Sequence, residues 1–442
     1  MKTLAWMALA AAGIGMVGCN LTGKYTVGGT LTGLRGQGLV LQDNSGDDLR
    51  LSANGAFVFP GRIKNNNTYS VTVKTQPTNP TQTCAVHNGT GTISKNNVTN
   101  VIVSCTQAGR FAYVANQLSN NLSAYGIDSA NGDLVAINGS PFAVAGTTPV
   151  SLAVDPNGRF LYVVNSGSND VSVYTIDNFS GILTPTGLPA RTGSGPEAVI
   201  VDPTDTYLYV ANLAANSVSA YVINSSTGLL TELSNSPFAV GAGPSSLKID
   251  PNGKFLYVTN FSGGNVTALA IDPTTGSLRA VSGSPFSAGA GALSIAIDPS
   301  GSFAYVANET AATISEYTIN ASTGALTMVP GSPLATGSSP ESLAVDPAGH
   351  YLYAANVTAK DEVAAYAIAA GSGALTLSGS PVASGFFPLS VVVDPSGQFA
   401  YVANTHSNDV SVYVVDSATG VLTRASHSPF AAGNQPRAIA ID

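Results

Sequence analysis

The sequence predicts an all-β protein in which a small β-sandwich precedes a seven-bladed β-propeller with four-stranded blades. Charged residues make up only 10% of the 442 residues, whereas Gly (47) and Pro (25) are abundant, which is typical of a chain rich in turns. A Tyr-Val-Xaa-Asn element or a close variant recurs seven times, at steps of 47 to 49 residues. Four short strands in a repeat of this length are the pattern of a propeller blade.

Residues 1–18 have the features of a lipoprotein signal peptide. Lys2 gives a basic start, and the apolar run that follows is shorter than the ~20 residues that span a bilayer. Small residues precede Cys19, as in a bacterial lipobox, so we expect Cys19 to be lipidated and residues 19–24 to act as a linker. The expected location is the cell envelope, on the outer membrane, facing the periplasm or the cell surface. An ordinary secretory signal with a chance cysteine is the alternative.

Residues 25–106 predict the sandwich, of immunoglobulin or transthyretin type. Seven short alternating strands are separated by turn signals such as Asn-Gly. Cys84 and Cys105 are the two cysteines that remain if Cys19 carries lipid, and in an oxidising compartment we expect them to form a disulfide. A metal site is the alternative, although neither cysteine has a further Cys or His near it in the sequence.

Residues 107–442 predict the propeller, and the two ends of this segment predict how its ring closes. The first repeat lacks the strand that ends in Asp-Pro in the other repeats. Residues 436–442 have the pattern of that missing strand, and we expect them to become the inner strand of the first blade. Such closure removes the exposed sheet edges of an open array.

Residues that recur in every repeat are expected to serve the blade. The Asp of each Asp-Pro-Xaa-Gly turn is expected to accept backbone N–H groups; an acidic ring that binds a cation is the alternative. The Asn of Tyr-Val-Xaa-Asn is expected to be structural because Asn tolerates turn conformations, with a ligand-binding amide as the alternative. The repeated Tyr and the Phe of each Ser-Pro-Phe element are expected to pack between blades.

Composition excludes one class of partner. The formal net charge is −8, and the sequence has no cluster of Lys and Arg, so we expect no binding to nucleic acid. No phosphate loop, Gly-Xaa-Ser-Xaa-Gly element or His-Glu-Xaa-Xaa-His motif occurs in the sequence. We therefore expect no cofactor and no metal.

The position after the Pro that opens each inner strand differs from blade to blade, so it is the candidate site. Around the ring this position reads Val150, Glu197, Ser245, Leu293, Glu341, Leu389 and Arg437. The charges of Glu197, Glu341 and Arg437 could hold a small polar ligand, or a carboxylate could activate water beside the guanidinium. The loops between second and third strands add Glu309, Lys360, Asp361 and His406 to this face. Solvated rim charges without a function are the alternative.

The repeat, with residues 257–260 (Tyr-Val-Thr-Asn) as the closest copy, resembles the YVTN-repeat and lactonase-type seven-bladed propellers. Lactonases of this family tend to carry Pro-His-Xaa-His at strand entrances, whereas this chain has Pro-Glu at residues 196–197 and 340–341. The leading hypothesis is an envelope-anchored module that binds a protein, a glycan or a small ligand at the channel mouth. A lactonase-like hydrolase of the 6-phosphogluconolactonase type is the alternative, and a purely structural envelope component is a third.

Overall fold

The computed structural model describes residues 23–34, 37–77, 82–106, 111–357 and 361–442. The chain forms two compact units that divide near residue 108. Cys19 and the expected signal peptide lie outside the described residues, as does Lys360. In the described part of the chain, no helix is long and apolar enough to cross a membrane.

The first unit is a β-sandwich of two four-stranded sheets. One sheet has the order Gly55–Val58, Val27–Thr32, Val98–Thr106, Thr83–His87, and the other has the order Asp47–Leu51, Leu39–Asp43, Thr68–Thr75, Thr90–Thr92. A two-stranded ribbon pairs Lys24–Tyr25 with Ile63–Lys64. Residues Leu39, Leu41, Val101 and Val103 are fully buried in the core that the strands enclose. The expected disulfide joins Cys84 to Cys105, which are directly opposite one another on neighbouring strands.

The second unit is a ring of seven antiparallel blades, which confirms the predicted fold class. The inner strands are Pro436–Ile441 (blade 1), Pro149–Val154, Pro196–Val201, Pro244–Ile249, Ala292–Ile297, Ser339–Val345 and Pro388–Val393 (blade 7). The second strands are Phe111–Asn116, Phe160–Asn165, Tyr207–Asn212, Phe255–Asn260, Phe303–Asn308, Tyr351–Val357 and Phe399–Asn404. The third strands are Asn121–Ile127, Asp170–Ile176, Ser217–Ile223, Asn265–Ile271, Thr313–Ile319, Glu362–Ile368 and Asp409–Val415.

The outer edge of each blade consists of two short strands, where the sequence predicted one. The fourth strands are Leu134–Ala136, Leu183–Pro185, Leu230–Glu232, Leu278–Ala280, Leu326–Met328, Leu375–Leu377 and Leu422–Arg424. The fifth strands are Phe142–Ala143, Ala190–Arg191, Phe238–Ala239, Phe286–Ser287, Leu334–Ala335, Val382–Ala383 and Phe430–Ala431. Both pair with the third strand, and in six blades a Ser-Pro element separates them. In blade 4 the Ser284 hydroxyl accepts the N–H of Ala268 at 2.9 Å, so the serine replaces a partner that an unbroken strand would supply.

The C-terminal strand closes the ring as predicted. Pro436–Ile441 pairs antiparallel with Phe111–Asn116, the second strand of blade 1. The carboxylate of Asp442 then accepts the N–H of Phe111 at 2.7 Å. Blade 1 is therefore assembled from both ends of the propeller sequence, and no inner strand is missing from the ring.

Repeated side chains hold the blades together, largely as the sequence suggested. The Tyr257 hydroxyl donates to the carbonyl of Gly324 in the next blade at 3.0 Å, and four other blades repeat this contact. Oδ1 of Asp298 accepts two backbone N–H groups of its own turn, at 2.8 and 2.6 Å. The sequence suggested that the repeated Asn is structural because it forms a turn, and that reason was wrong. Asn260 ends a strand rather than forming a turn, and its buried amide donates to Asn265 and Thr267 on the third strand.

Candidate functional site

A β-bulge at the start of every inner strand creates the candidate site. In blade 6, Pro340 pairs with Asn356 and Ser342 pairs with Ala355, so Glu341 is the extra residue without a partner. The same register shift occurs in the other six blades. A bulge changes the direction of a side chain and suspends the alternation of a regular strand. As a result, both the residue after the Pro position and the one that follows it can face the channel.

The bulges surround a cavity of about 220 Å³ at one end of the channel. We call this end the entrance face. Two residues from each blade line the cavity: Val150, Ser151, Glu197, Ala198, Ser245, Ser246, Leu293, Ser294, Glu341, Ser342, Leu389, Ser390, Arg437 and Ala438. The first member of each pair is the variable position identified in the sequence. The structure thus brings Glu197, Glu341 and Arg437 together around one cavity, and among the described residues they are the charged ones that line it.

Glu197 and Arg437 form an ion pair between blades 3 and 1. The Arg437 guanidinium donates from Nη2 to Oε1 of Glu197, while the two side chains remain 33% and 21% exposed. Because both groups keep access to solvent, a ligand in the cavity can compete for either of them. The pair also fixes the guanidinium at the rim, where it can donate to an oxygen of the ligand.

Glu341 is the second carboxylate of the cavity. Burial, together with the nearby negative charge of Glu309, raises the pKa of Glu341 to about 7, although the positive charge of Arg437 acts in the opposite direction. Glu309 lies in the loop between the second and third strands of blade 5, and its N–H donates to the carbonyl of Gly291 at 2.9 Å. A carboxyl group with this pKa can either accept or donate a proton near neutral pH.

The serines of the cavity wall mostly serve the ring itself. The hydroxyls of Ser294, Ser342 and Ser390 accept N–H groups from the next inner strand at 3.1 to 3.3 Å. These contacts join the bulge regions of blades 5, 6, 7 and 1. The small, bonded serines leave the three charged side chains as the main chemical groups that the cavity offers.

His406 does not line the cavity. It lies in the loop between the second and third strands of blade 7, on the entrance face as expected, and its ring centroid is 4.5 Å from that of Phe387 and 5.4 Å from that of Phe386. Our sequence reasoning missed these two phenylalanines. They could have been found by aligning the blades, because the two residues before the Pro position are small or polar in the other blades.

Two further features bear on what the site can hold. Within the described ranges, no group of three or more His, Cys, Asp and Glu side chains is arranged to hold a metal ion. Lys248 is the fourth charged residue of the inner strands, but it does not line the cavity. The residue is exposed, although the protein atoms around its ammonium group lower the pKa of that group by desolvation.

Solved structures with this fold include several sugar-lactonase propellers. A candidate 6-phosphogluconolactonase from Bacteroides fragilis is similar with a TM-score of 0.68 and 21% identity, over 76% of this chain and 99% of the other. The periplasmic gluconolactonase PpgL of Pseudomonas aeruginosa gives a TM-score of 0.66 and 19% identity, over 75% of this chain and 98% of the other. At such identities the likeness shows the fold alone. No curated protein sequence matches the chain.

The sequence itself matches a family model described as "Lactonase, 7-bladed beta-propeller". The match covers residues 66–196, 189–287 and 280–439, which is most of the chain. The overlapping segments are consistent with a sequence of nearly equivalent repeats. With seven closed blades and this match, the chain belongs to the lactonase family of seven-bladed β-propellers.

Proposed function

We propose that the protein binds a small, uncharged, polyhydroxylated molecule, such as a sugar or a sugar lactone, in the cavity of the entrance face. The observation that carries this proposal is the convergence of Glu197, Glu341 and Arg437 on one cavity of about 220 Å³. Carboxylates accept hydrogen bonds from hydroxyl groups, and the guanidinium donates to hydroxyl or carbonyl oxygens. Several such groups placed around a small volume match a molecule with a hydroxyl on most of its carbons.

The balance of charge supports an uncharged ligand. Glu197 and Arg437 neutralise each other, and Glu341, with a pKa of about 7, is partly ionised at neutral pH. The cavity therefore has no excess of positive charge with which to attract an anion. A phosphorylated sugar would bring about two negative charges next to Glu341 and Glu309, which we expect to oppose binding.

Isothermal titration calorimetry with glucose, xylose and gluconolactam tests the binding proposal. Wild-type protein is expected to bind at least one of these probes. Glu341→Gln and Arg437→Ala are each expected to weaken that binding by about 2–5 kcal/mol, because each removes a charged partner from a partly desolvated site. Glu232→Gln, on an exposed outer strand, is the matched control and should leave the affinity unchanged. Equal affinities in all four proteins would refute the proposal.

Hydrolysis of a sugar lactone is a second candidate function, which is favoured by the pKa of Glu341 and by membership of the family. The Glu341 carboxylate would take a proton from water as the water oxygen bonds to the lactone carbonyl carbon. The Arg437 guanidinium would stabilise the resulting oxyanion. When the carbonyl re-forms, the ring C–O bond breaks, and the departing alkoxide takes the proton from Glu341. The products are the hydroxy acid and the regenerated carboxylate.

A turnover assay distinguishes binding from hydrolysis. If Glu341 is the base, kcat/KM for an unphosphorylated lactone rises with pH through about 7, and the rise disappears in Glu341→Gln. No hydrolysis of 6-phosphogluconolactone above background is expected, since the Pro-His-Xaa-His pattern is absent and a phosphate is unfavourable here. Robust turnover of that substrate, lost on mutation of Glu341 or His406, would make the phosphorylated lactone the better assignment.

The proposed location of the protein is the cell envelope, through a lipid attached to Cys19. This proposal rests on the lipobox-like residues alone. Wild-type protein should fractionate with membranes, and Cys19→Ala should be released. A Cys19→Ala variant that stays bound as tightly as wild type would contradict the anchor.

A further inference from the structure

The entrance face carries an exposed aromatic cluster beside the cavity. It consists of Phe386, Phe387 and His406 of blade 7, which we call the aromatic platform. The Phe386 side chain is 61% exposed, although large apolar side chains are ordinarily buried. The three rings lie next to one another, with centroids 4.5 and 5.4 Å from that of His406, so they form a continuous surface rather than scattered side chains.

The backbone holds this platform in a conformation that an aromatic residue rarely adopts. Phe387 has a φ of 65°, in the left-handed region, where bulky residues are outliers. Blades 3, 4 and 5 place Gly at the equivalent position, and Thr148 and Gln435 adopt the same conformation in blades 2 and 1, so the conformation is a feature of this turn. The carbonyls of Phe386 and Phe387 accept the N–H groups of His406 and Thr405 at 3.0 and 2.9 Å. The turn therefore fixes the backbone of the two phenylalanines.

The platform is specific to blade 7. The two residues before the Pro position are Thr147 and Thr148, Ser194 and Gly195, Ala242 and Gly243, Ala290 and Gly291, Ser338 and Ser339, and Asn434 and Gln435 in the other blades. None of these is apolar and large. A fold that needed aromatic packing at this turn would show it in more than one blade, so the fold itself does not require the phenylalanines.

The platform is joined directly to the wall of the cavity. Thr405, which precedes His406, donates from its hydroxyl to the carbonyl of Pro436 at 2.8 Å, and Arg437 follows Pro436 in the chain. Phe387 is two residues before Leu389, which also lines the cavity. A ligand that extends out of the cavity between Leu389 and Arg437 would therefore meet the platform.

We propose that the aromatic platform binds a second sugar ring, so that the preferred ligand is a disaccharide or a longer glycan rather than a monosaccharide. This inference rests on the proposed function, which places the first ring in the cavity. A cavity of about 220 Å³ is smaller than the roughly 300–1,000 Å³ typical of ligand pockets, so a larger ligand must extend beyond it. A sugar ring has a face of C–H groups with partial positive charge, which suits the negative face of an aromatic ring.

Phe386→Ala tests this proposal because the side chain is exposed and its loss should not disturb the fold. Calorimetric titrations would use glucose, cellobiose, maltose and lactose, with Phe179→Ala as a matched control. Phe179 is 69% exposed and lies in the turn after the third strand of blade 2, away from the platform. We expect at least one disaccharide to bind wild type more tightly than glucose does. Phe386→Ala should weaken that disaccharide about tenfold without changing the affinity for glucose.

The outcomes separate this proposal from the function on which it rests. Disaccharides that bind wild type no better than glucose, or a Phe386→Ala variant with unchanged disaccharide affinity, would overturn the platform alone. An equal loss of glucose and disaccharide binding in Phe386→Ala would also overturn it, because the phenylalanine would then belong to the first subsite. A wild-type protein that binds none of the four sugars would overturn the proposed function and this inference together.

Discussion

The two faces of the propeller differ in how much their residues vary from blade to blade. On the face opposite the entrance, the Asp-Pro-Xaa-Gly turns are nearly identical, and an Asp such as Asp298 uses its carboxylate to hold the backbone of its own turn. On the entrance face, the bulged position ranges from Leu293 through Ser245 to Glu341 and Arg437. The comparison indicates that residues shared by the blades form the architecture, whereas residues that distinguish the blades form the proposed binding site.

One blade shows that a difference between blades is not sufficient to mark a site. In blade 3, Asp205 stands where most turns have Gly, with a φ of 57°. Its carboxylate accepts from Arg159 and Asn157 of blade 2 at 2.6 and 2.9 Å, so the substitution joins two blades. Burial is the main cause that raises the pKa of Asp155, beside this pair, to about 6. A variable residue therefore points to function only where its side chain is not used to join the blades.

The largest effect is expected from breaking the ring on which both faces depend. Deletion of residues 436–442 should remove the inner strand of blade 1 and expose the edge of Phe111–Asn116 with which it pairs. We expect destabilisation by several kcal/mol, or aggregation, as measured by thermal unfolding and size-exclusion chromatography. An unchanged melting temperature would mean that another segment closes the ring.

A smaller effect, on the order of 2 kcal/mol, is expected from the titration of Glu341. The pKa of Glu341 is raised from its ordinary value of 4.5 to about 7, so between these pH values the folded protein keeps a proton that the unfolded chain has lost. This contribution to stability is fully present below pH 4.5 and is lost as pH rises through about 7. Denaturant unfolding between pH 4.5 and 8 should show the decrease in wild type and in Glu232→Gln, but not in Glu341→Gln. The same decrease in all three proteins would mean that another group is responsible.

The smallest effect tests the shared residues of the blades. Tyr257→Phe should lower the free energy of unfolding by about 1 kcal/mol, because it removes a buried hydrogen bond to Gly324. Tyr353 occupies the same position in blade 6, but its buried hydroxyl has no hydrogen-bond partner in the described part of the chain. Tyr353→Phe should therefore be neutral or slightly stabilising. Equal losses in the two variants would show that the contact between blades is not what the hydroxyl provides.

Repetition explains why the fold could be predicted so fully from the sequence. Seven copies of one pattern predicted the blade count, the turn carboxylates and the closing strand at residues 436–442. Each copy encodes the same blade, so a feature that recurs in several copies is supported several times. The short strands Ile63–Lys64 and Thr90–Thr92 of the sandwich were missed, since two or three residues are too few to show alternation. The division of the outer edge into two short strands was also missed. Both short strands are defined by their pairing with the third strand, which the sequence pattern does not show.

The candidate site was predictable in position but not in geometry. Alignment of the blades identified Glu197, Glu341 and Arg437 as the charges of one ring position. It could not show the bulge that lets them face the cavity, because a bulge is defined by pairing with the second strand. Nor could it show which of the two carboxylates would pair with Arg437, since the relative geometry of three blades decides this contact.

The most direct test of the account is to compare one shared residue with one distinctive residue by the same two measurements. Glu341→Gln and Asp298→Ala should each be measured for glucose affinity by calorimetry and for stability by denaturant unfolding at neutral pH. We predict that Glu341→Gln weakens binding by at least 2 kcal/mol without loss of stability. Asp298→Ala should lose about 2 kcal/mol of stability and keep its affinity within twofold. Loss of binding in Asp298→Ala at full stability, or an unchanged affinity in Glu341→Gln, would contradict the division between the two faces.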